Sequence, residues 1–240
     1  LLIDQDRRPG QFLMTGSADI LSMPRTSESL AGRSEIIPLM PLSQVELHNR
    51  SPAFIAAAFE GDVSNPESVL EDDDLIAMIL KGGFPEVIAR NSVRRQQQWC
   101  QAYLAAIVQR DIHDITDIKK AHELPQLLSV LAAYSSQLIN QQDIGQKIGL
   151  NSKTINSYIC AFEQLFLVHR LPAWHHNALK RLVKKPKLHF CDSALLASII
   201  EANPTAIEKN RQILGPLLET FIFTEFNEIF MFLLYFCYFK

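Results

Sequence analysis

The stretch DIGQKIGLNSKTINSYICAFEQLF, residues 143–166, decides the fold. Its first residues suit a very short helix, Gly149 suits a tight turn, and residues 152–166 suit a longer helix with Asn151 or Ser152 as its N-cap. Two helices joined by a glycine turn predict a helix-turn-helix. The apolar residues that recur at helical spacing, and would face inward, are Ile144, Ile148, Ile155 and Ile159.

Elements on both sides of this stretch complete the predicted fold. Residues 125–134 (PQLLSVLAAY) predict a preceding helix, whereas residues 167–171 (LVHRL) and 187–190 (KLHF) are short extended runs that predict a two-stranded wing. Farther upstream, residues 94–118 follow the spacing of a long amphipathic helix. Residues 11–15 (QFLMT) suit a buried strand. The predicted fold class is therefore mainly α (α+β), with small sheets.

The composition is that of an ordinary soluble protein. Apolar residues make up 48% of the 240 residues, charged residues 20%, and the formal net charge is −3. Because there is no global basic excess, any affinity for nucleic acid must be local. The start, LLIDQDRRPGQF, becomes charged within four residues and does not predict a signal peptide. Four widely spaced cysteines without a C-x-x-C pair predict reduced thiols in a cytoplasmic protein: Cys100, Cys160, Cys191 and Cys237.

Both ends of the chain are unusual. The chain opens on Leu1 rather than on methionine, and residues 229–239 (IFMFLLYFCYF) form an uninterrupted apolar run before Lys240. A membrane span needs about 20 apolar residues, so no transmembrane span is predicted. The expected explanation is a chain truncated at both ends. The alternatives are a short, half-inserted anchor and a protein partner that covers the apolar C-terminus.

A local basic stretch next to the helix-turn-helix suggests contact with duplex DNA. No acidic residue lies between the wing's first and last basic residues, and a lysine-rich wing can follow phosphates. The candidates on the wing are Arg170, Lys180, Arg181, Lys184, Lys185 and Lys187. The start of the third helix could approach base edges with Asn151, Ser152, Lys153 and Asn156. The alternative is a regulatory winged helix that packs against protein, because the third helix offers one lysine and no arginine.

Eight motifs in order resemble a known family. The upstream motifs are RRPGQFLMTGSADIL, SESLAGR, PLSQVEL, GGFPEV and the RDI at residues 110–112. The remaining ones are QLINQQDIGQKIGLNSKTINSYICAFEQLFLVHRLPAW, KRLVKKPKLHFCDSALL and GPLLETFIFTE. Together, over about residues 1–228, they resemble prokaryotic AAA-superfamily (archaeal-ATPase-like) proteins. Those proteins carry an N-terminal P-loop domain and a C-terminal domain of unknown function, which combines a winged helix with a restriction-endonuclease-like part.

The resemblance implies a domain organisation. Residues 1–49 would be a remnant of the AAA ATPase core with its last strands, and residues 50–122 a helical lid or connector. Residues 123–190 would form the winged helix-turn-helix, and residues 191–240 the start of a truncated endonuclease-like domain. Nuclease activity is not expected, because no metal-binding E-x-K pair follows Glu219 and Glu225.

The resemblance also implies an activity for the parent protein. The intact family binds and hydrolyses ATP with magnesium, using a Walker A loop and a Walker B strand that the chain does not contain. The nucleotide-proximal positions carried over from the family are Thr15, Ser17 and Arg33. The chain is therefore predicted to be an ATPase-family fragment that cannot hydrolyse ATP alone, with no catalytic residue, no metal site and no cofactor of its own.

Overall fold

A computed structural model describes residues 8, 10–18, 34–50, 54–61, 70–115, 121–177 and 183–238. This part of the chain is mainly helical, as predicted. The helices upstream of the predicted helix-turn-helix are α1 (Gln44–Leu47), α2 (Phe54–Glu60), α3 (Asp72–Lys81), α4 (Pro85–Ile88), α5 (Val93–Ile115) and α6 (Leu124–Ala133). The remaining elements are α7 (Gln141–Ile148), α8 (Ser152–Gln164), β1 (Val168–Leu171), β2 (Lys187–Phe190), α9 (Ser193–Ile199), α10 (Pro204–Lys209) and α11 (Leu214–Tyr238).

The helix-turn-helix forms where the sequence predicts it. Helix α7 ends at Gly149, whose φ of 75° is left-handed and therefore suits glycine. The Leu150 amide then donates to the Gly145 carbonyl at 2.9 Å. This turn is so tight that a Cβ atom on Gly145 would lie 2.3 Å from the Leu150 carbonyl oxygen. Helix α8 begins after Asn151, whose side chain accepts the Thr154 amide at 2.8 Å.

The two predicted strands pair as an antiparallel hairpin. The register places Val168 opposite Phe190 and Leu171 opposite Lys187. A third segment, between α6 and α7, runs along the free side of β2. There the Ser136 amide donates to the Leu188 carbonyl at 2.6 Å, and Leu138 forms a single antiparallel bridge with Lys187. The chain order is thus helix, edge segment, helix, helix, strand and strand.

One apolar core extends through most of these elements. It runs from α3 through α5 and the helix-turn-helix to α9 and α11, and helix α9 is buried along its whole length between α5, α3 and α11. Ile144, Ile155 and Ile159 are fully buried, as predicted, and Ile148 is partly buried. Residues of this core lie on both sides of the predicted domain boundaries near residues 122 and 190. The division into domains remains a prediction.

Asp192 connects the two ends of this core. Its carboxylate accepts the Gly83 amide at 2.8 Å and the Ala194 amide at 2.8 Å, so it caps α9 and holds the turn after α3. A Cβ atom on Gly82 would lie 2.5 Å from both carboxylate oxygens. Gly82 of the GGFPEV motif is therefore required for this close approach, whereas a Cβ atom on Gly83 would lie 2.2 Å from the Leu42 carbonyl oxygen. Burial raises the pKa of Asp192, while the three backbone amides that it accepts oppose that rise.

The predicted strand at residues 11–15 is wrong. The segment runs without strand pairing, and the side chains of Phe12, Leu13 and Met14 are exposed, Leu13 by 92%. A strand needs a neighbour for its amides and carbonyls, and within the described ranges the hairpin of β1 and β2 forms a sheet of its own. The prediction of burial is wrong as well, because in the part of the chain that the structure describes no element covers these side chains.

The other element predictions differ from the structure in small ways. The long helix predicted for residues 94–118 is α5, which begins at Val93 and ends at Ile115. The apolar run at the C-terminus continues the helix α11 as far as Tyr238. Among the described helices, none combines the length and the apolar character that crossing a membrane requires.

Candidate nucleic-acid interface

The start of α8 presents few groups to a ligand. Ser152 and Lys153 are exposed. Asn151, the predicted base-contacting neighbour, instead uses its side-chain oxygen to accept the amide and the hydroxyl of Thr154, at 2.8 and 3.1 Å. Its role is therefore helix capping, which leaves Lys153 as the charged group at this end of α8.

Asn156 and Arg170 belong to one internal polar network. The Asn156 side-chain oxygen accepts from Gln141 Nε2 and from Arg170 Nη1, both at 2.8 Å. Arg170 also donates through Nε to Glu163 at 2.9 Å and through Nη2 to Cys160 Sγ at 3.2 Å. The bond to Glu163 raises the pKa of Arg170. Both predicted DNA contacts are thus engaged within the protein, and the charge of Arg170 is neutralised.

This network ties β1 to helix α8. Arg170 on β1 contacts Glu163 near the end of α8 and Asn156 in its first half. The side chain of Arg170 therefore holds the first strand of the hairpin against this helix.

The basic residues of the wing divide into three groups. Lys184 and Lys185 are exposed, and across the described stretches no ion pair with a carboxylate involves them. Lys187 instead forms an ion pair with Glu219 of α11. The predicted contacts Lys180 and Arg181 lie outside the described residues.

A second small polar cluster lies beside α7. Tyr134 donates its hydroxyl to Asp143, and Lys147 lies 3.5 Å from the same carboxylate. The hydrogen bond from Tyr134 lowers the pKa of Asp143 most, and the charges of Lys147 and Lys185 lower it further. Lys185 therefore lies within electrostatic range of the first turn of α7. The candidate interface consists of the exposed lysines Lys153, Lys184 and Lys185.

The sequence predicted the residues that could contact DNA, but it did not predict which of them form hydrogen bonds within the protein. Glu163 and Gln141 were missed, because their partners are 7 and 15 residues away on other elements. A carboxylate at the end of α8 followed by an arginine on the next strand was the available signal for the Glu163–Arg170 pair.

The role of the three nucleotide-proximal residues stays a prediction, because the structure describes only two of them. Thr15 and Ser17 are exposed on the unpaired segment near residue 15, and Arg33 lies outside the described residues. Over the described ranges, no group of three or more histidine, cysteine or acidic side chains could hold a metal ion.

Sequence comparison places these elements in a family. The model of a family described as a domain of unknown function (DUF8612) matches residues 72–206, which begin at α3 and end within α10. The match covers more than half of the chain. The chain belongs to the DUF8612 family. The shared region therefore contains the helix-turn-helix, the hairpin, and Asp192 with its glycine pair.

Two curated mycobacterial proteins resemble the chain over a longer stretch. The uncharacterized proteins Mb2031c of Mycobacterium bovis and Rv2008c of Mycobacterium tuberculosis are each 26% identical to it over 223 residues. The alignments cover 92% of the chain and 45% of either relative, so the chain spans less than half the length of these proteins. No solved structure matches it.

Proposed function

We propose that this DUF8612 chain contains a winged-helix module that contacts the phosphate backbone of duplex DNA without reading its sequence. The observation that carries this proposal is that three lysines of the unit are exposed: Lys153 in the first turn of α8, and Lys184 and Lys185 just before β2. Lysines at the start of the second helix and on the wing are suited to phosphates on either side of a groove.

The topology supports the winged-helix assignment. A helix, an edge segment, the two helices of the turn and an antiparallel hairpin follow one another in that order. In helix-turn-helix proteins the second helix of the turn approaches the major groove. Here that helix is α8, and the antiparallel hairpin of β1 and β2 follows it in the chain.

The engaged polar side chains argue against base readout. Base-specific contacts need free donors and acceptors such as amide or guanidinium groups. Asn151 caps α8, and Asn156 and Arg170 bond to each other. Phosphate contacts by lysine need no such geometry, so binding is expected to be independent of sequence and sensitive to salt.

Fluorescence anisotropy with two duplexes of unrelated sequence tests this proposal. Both duplexes should bind equally, and the logarithm of the association constant should fall linearly with that of the salt concentration. Lys184→Ala together with Lys185→Ala should reduce the slope by about 2, because each phosphate contact contributes about 0.9. Lys153→Ala should reduce it by about 1.

The matched control is Lys209→Ala, which removes an exposed lysine at the end of α10 and should leave the slope unchanged. Absent or salt-independent binding would contradict the proposal. It would favour the alternative, a winged helix that packs against protein.

We further propose that the chain is part of an AAA-type ATPase. The motif resemblance supports this, and two other observations favour it. Phe12, Leu13 and Met14 are exposed although their pattern suits a sheet, so they are suited to pack on protein that the described residues do not include. The mycobacterial relatives are also more than twice as long as the stretch that the chain matches.

Nucleotide titration tests this second proposal. The 240 residues contain no G-x-x-x-x-G-K-[ST] loop, so a fluorescent ATP analogue with magnesium should not bind the chain. Micromolar affinity would overturn that expectation. The full-length relative Rv2008c should hydrolyse ATP with magnesium, and an inactive relative would count against an ATPase parent.

A further inference from the structure

The hairpin of β1 and β2 has two different faces. Side chains alternate along a strand, so residues paired across the hairpin share a face. Arg170 and Leu188 are such a pair, on the face toward α8 and the core. His169 and His189 are the next pair, on the opposite face. This outer face also carries Lys187, two residues before His189.

Helix α11 packs against part of the outer face, around His189. The ring of Phe223 stacks on His189, with centroids 4.6 Å apart and planes 12° apart, and lies 5.2 Å from the ring of His169. Glu219, one helical turn before Phe223, pairs with Lys187. The contacts therefore follow one side of α11 along the length of the hairpin.

The same helix also holds the edge segment beside β2. Thr220 is fully buried and lies 3.1 Å from the Ser135 hydroxyl. Ser136 donates its hydroxyl to the Pro216 carbonyl at 3.1 Å, while its amide bonds to Leu188 of β2. Helix α11 thus contacts both structures on which the wing is built, the hairpin and the segment that pairs with it.

We propose that α11 supports the DNA contact by setting the position and rigidity of the hairpin of β1 and β2. With α11 packed on it, the hairpin is held between α8 and α11, and Lys184 and Lys185 are presented in a defined place. Loss of this packing would free the hairpin, and the two lysines would lose their fixed position. This inference rests on the proposed DNA contact, and α11 acts through the wing without touching the ligand.

A pair of phenylalanines on α11 provides the test. Phe223→Ala removes the contact with the two histidines, and Phe226→Ala removes an equal side chain that is 40% exposed and contacts Phe54 instead. In Phe223→Ala, amide hydrogen exchange in residues 168–171 and 187–190 should be at least about tenfold faster than in the wild type. Its DNA-binding salt slope should fall by about 2, as when Lys184 and Lys185 are lost. Phe226→Ala should match the wild type in both measurements.

Two milder variants keep the test decisive if Phe223→Ala unfolds. Phe223→Leu keeps apolar volume but loses ring stacking, and Glu219→Gln releases Lys187 from a solvent-exposed ion pair. Both should accelerate exchange in the hairpin without changing the circular dichroism spectrum.

Equal hairpin exchange in the Phe223 and Phe226 variants would overturn the inference, as would faster exchange with an unchanged salt slope. A wild-type chain that fails to bind DNA would contradict the proposed function instead. Hairpin exchange would then still decide whether α11 fixes the wing.

Discussion

His189 makes the contact between the hairpin and α11 sensitive to acid. Its ring is 3% exposed, lies 3.4 Å from the Ser136 hydroxyl and stacks on Phe223. Burial, and then the charge of Lys187, lowers the pKa of His189 to about 4. Because this pKa is below the unfolded value of about 6.5, the native state favours the neutral ring. The resulting stability is present above about pH 6.5 and is lost as the pH falls toward 4.

Urea unfolding at two pH values measures this effect. Between pH 7 and pH 5 the wild type should lose about 2 kcal/mol of unfolding free energy through His189. His189→Phe keeps a ring against Phe223 but cannot take up a proton. Between pH 7 and pH 5 this variant should therefore lose about 2 kcal/mol less unfolding free energy than the wild type. An unchanged dependence in His189→Phe would show that this ring is not the acid-sensitive group.

At the level of elements, the turn between α7 and α8 depends on the absence of a side chain at Gly145. A Cβ atom there would meet the Leu150 carbonyl oxygen at 2.3 Å, and this oxygen belongs to backbone that the turn holds in place. Gly145→Ala should therefore cost about 1–3 kcal/mol of unfolding free energy. Gly215→Ala is the matched control, because its Cβ atom would meet nothing within 4 Å, and its cost should stay below about 1 kcal/mol. Equal costs in chemical denaturation would contradict the close approach.

The elements that the sequence predicted well are those set by local physics. Apolar spacing, the N-cap at Asn151 and the left-handed glycine at 149 act within one or two helical turns, and they located α7 and α8 within two residues of their ends. The predicted strand at residues 11–15 failed, because a strand exists only with a neighbour. The sequence predicted which residues could contact DNA. It did not predict that Asn156 and Arg170 form hydrogen bonds within the protein, because the fold brings their partners together from other elements.

For the whole molecule, the continuous core predicts that helices α3 to α5 and the elements from α6 to β2 unfold together. Helices α5 and α9 pack directly on one another, and Asp192 ties α9 to the turn after α3 through the Gly83 amide. The apolar contacts on either side of residue 122 therefore belong to one cluster rather than two. Elements that share a core lose each other's packing when one of them opens, which is the condition for a two-state transition.

Trp99 reports on α5 alone once the second tryptophan is removed. Trp174→Phe leaves Trp99, which stacks on Tyr103 with ring centroids 5.1 Å apart, as the tryptophan signal of the connector. Its fluorescence transition in urea should coincide in midpoint and steepness with the far-ultraviolet circular dichroism transition of the described helices. Asp192→Ala leaves the buried Gly83 amide without its acceptor, so it should shift both curves together to lower urea. Two separated transitions would instead mean that residues 50–122 form an independent unit, as the predicted domain boundaries have it. The shared core would then not couple this unit to the elements from α6 to β2.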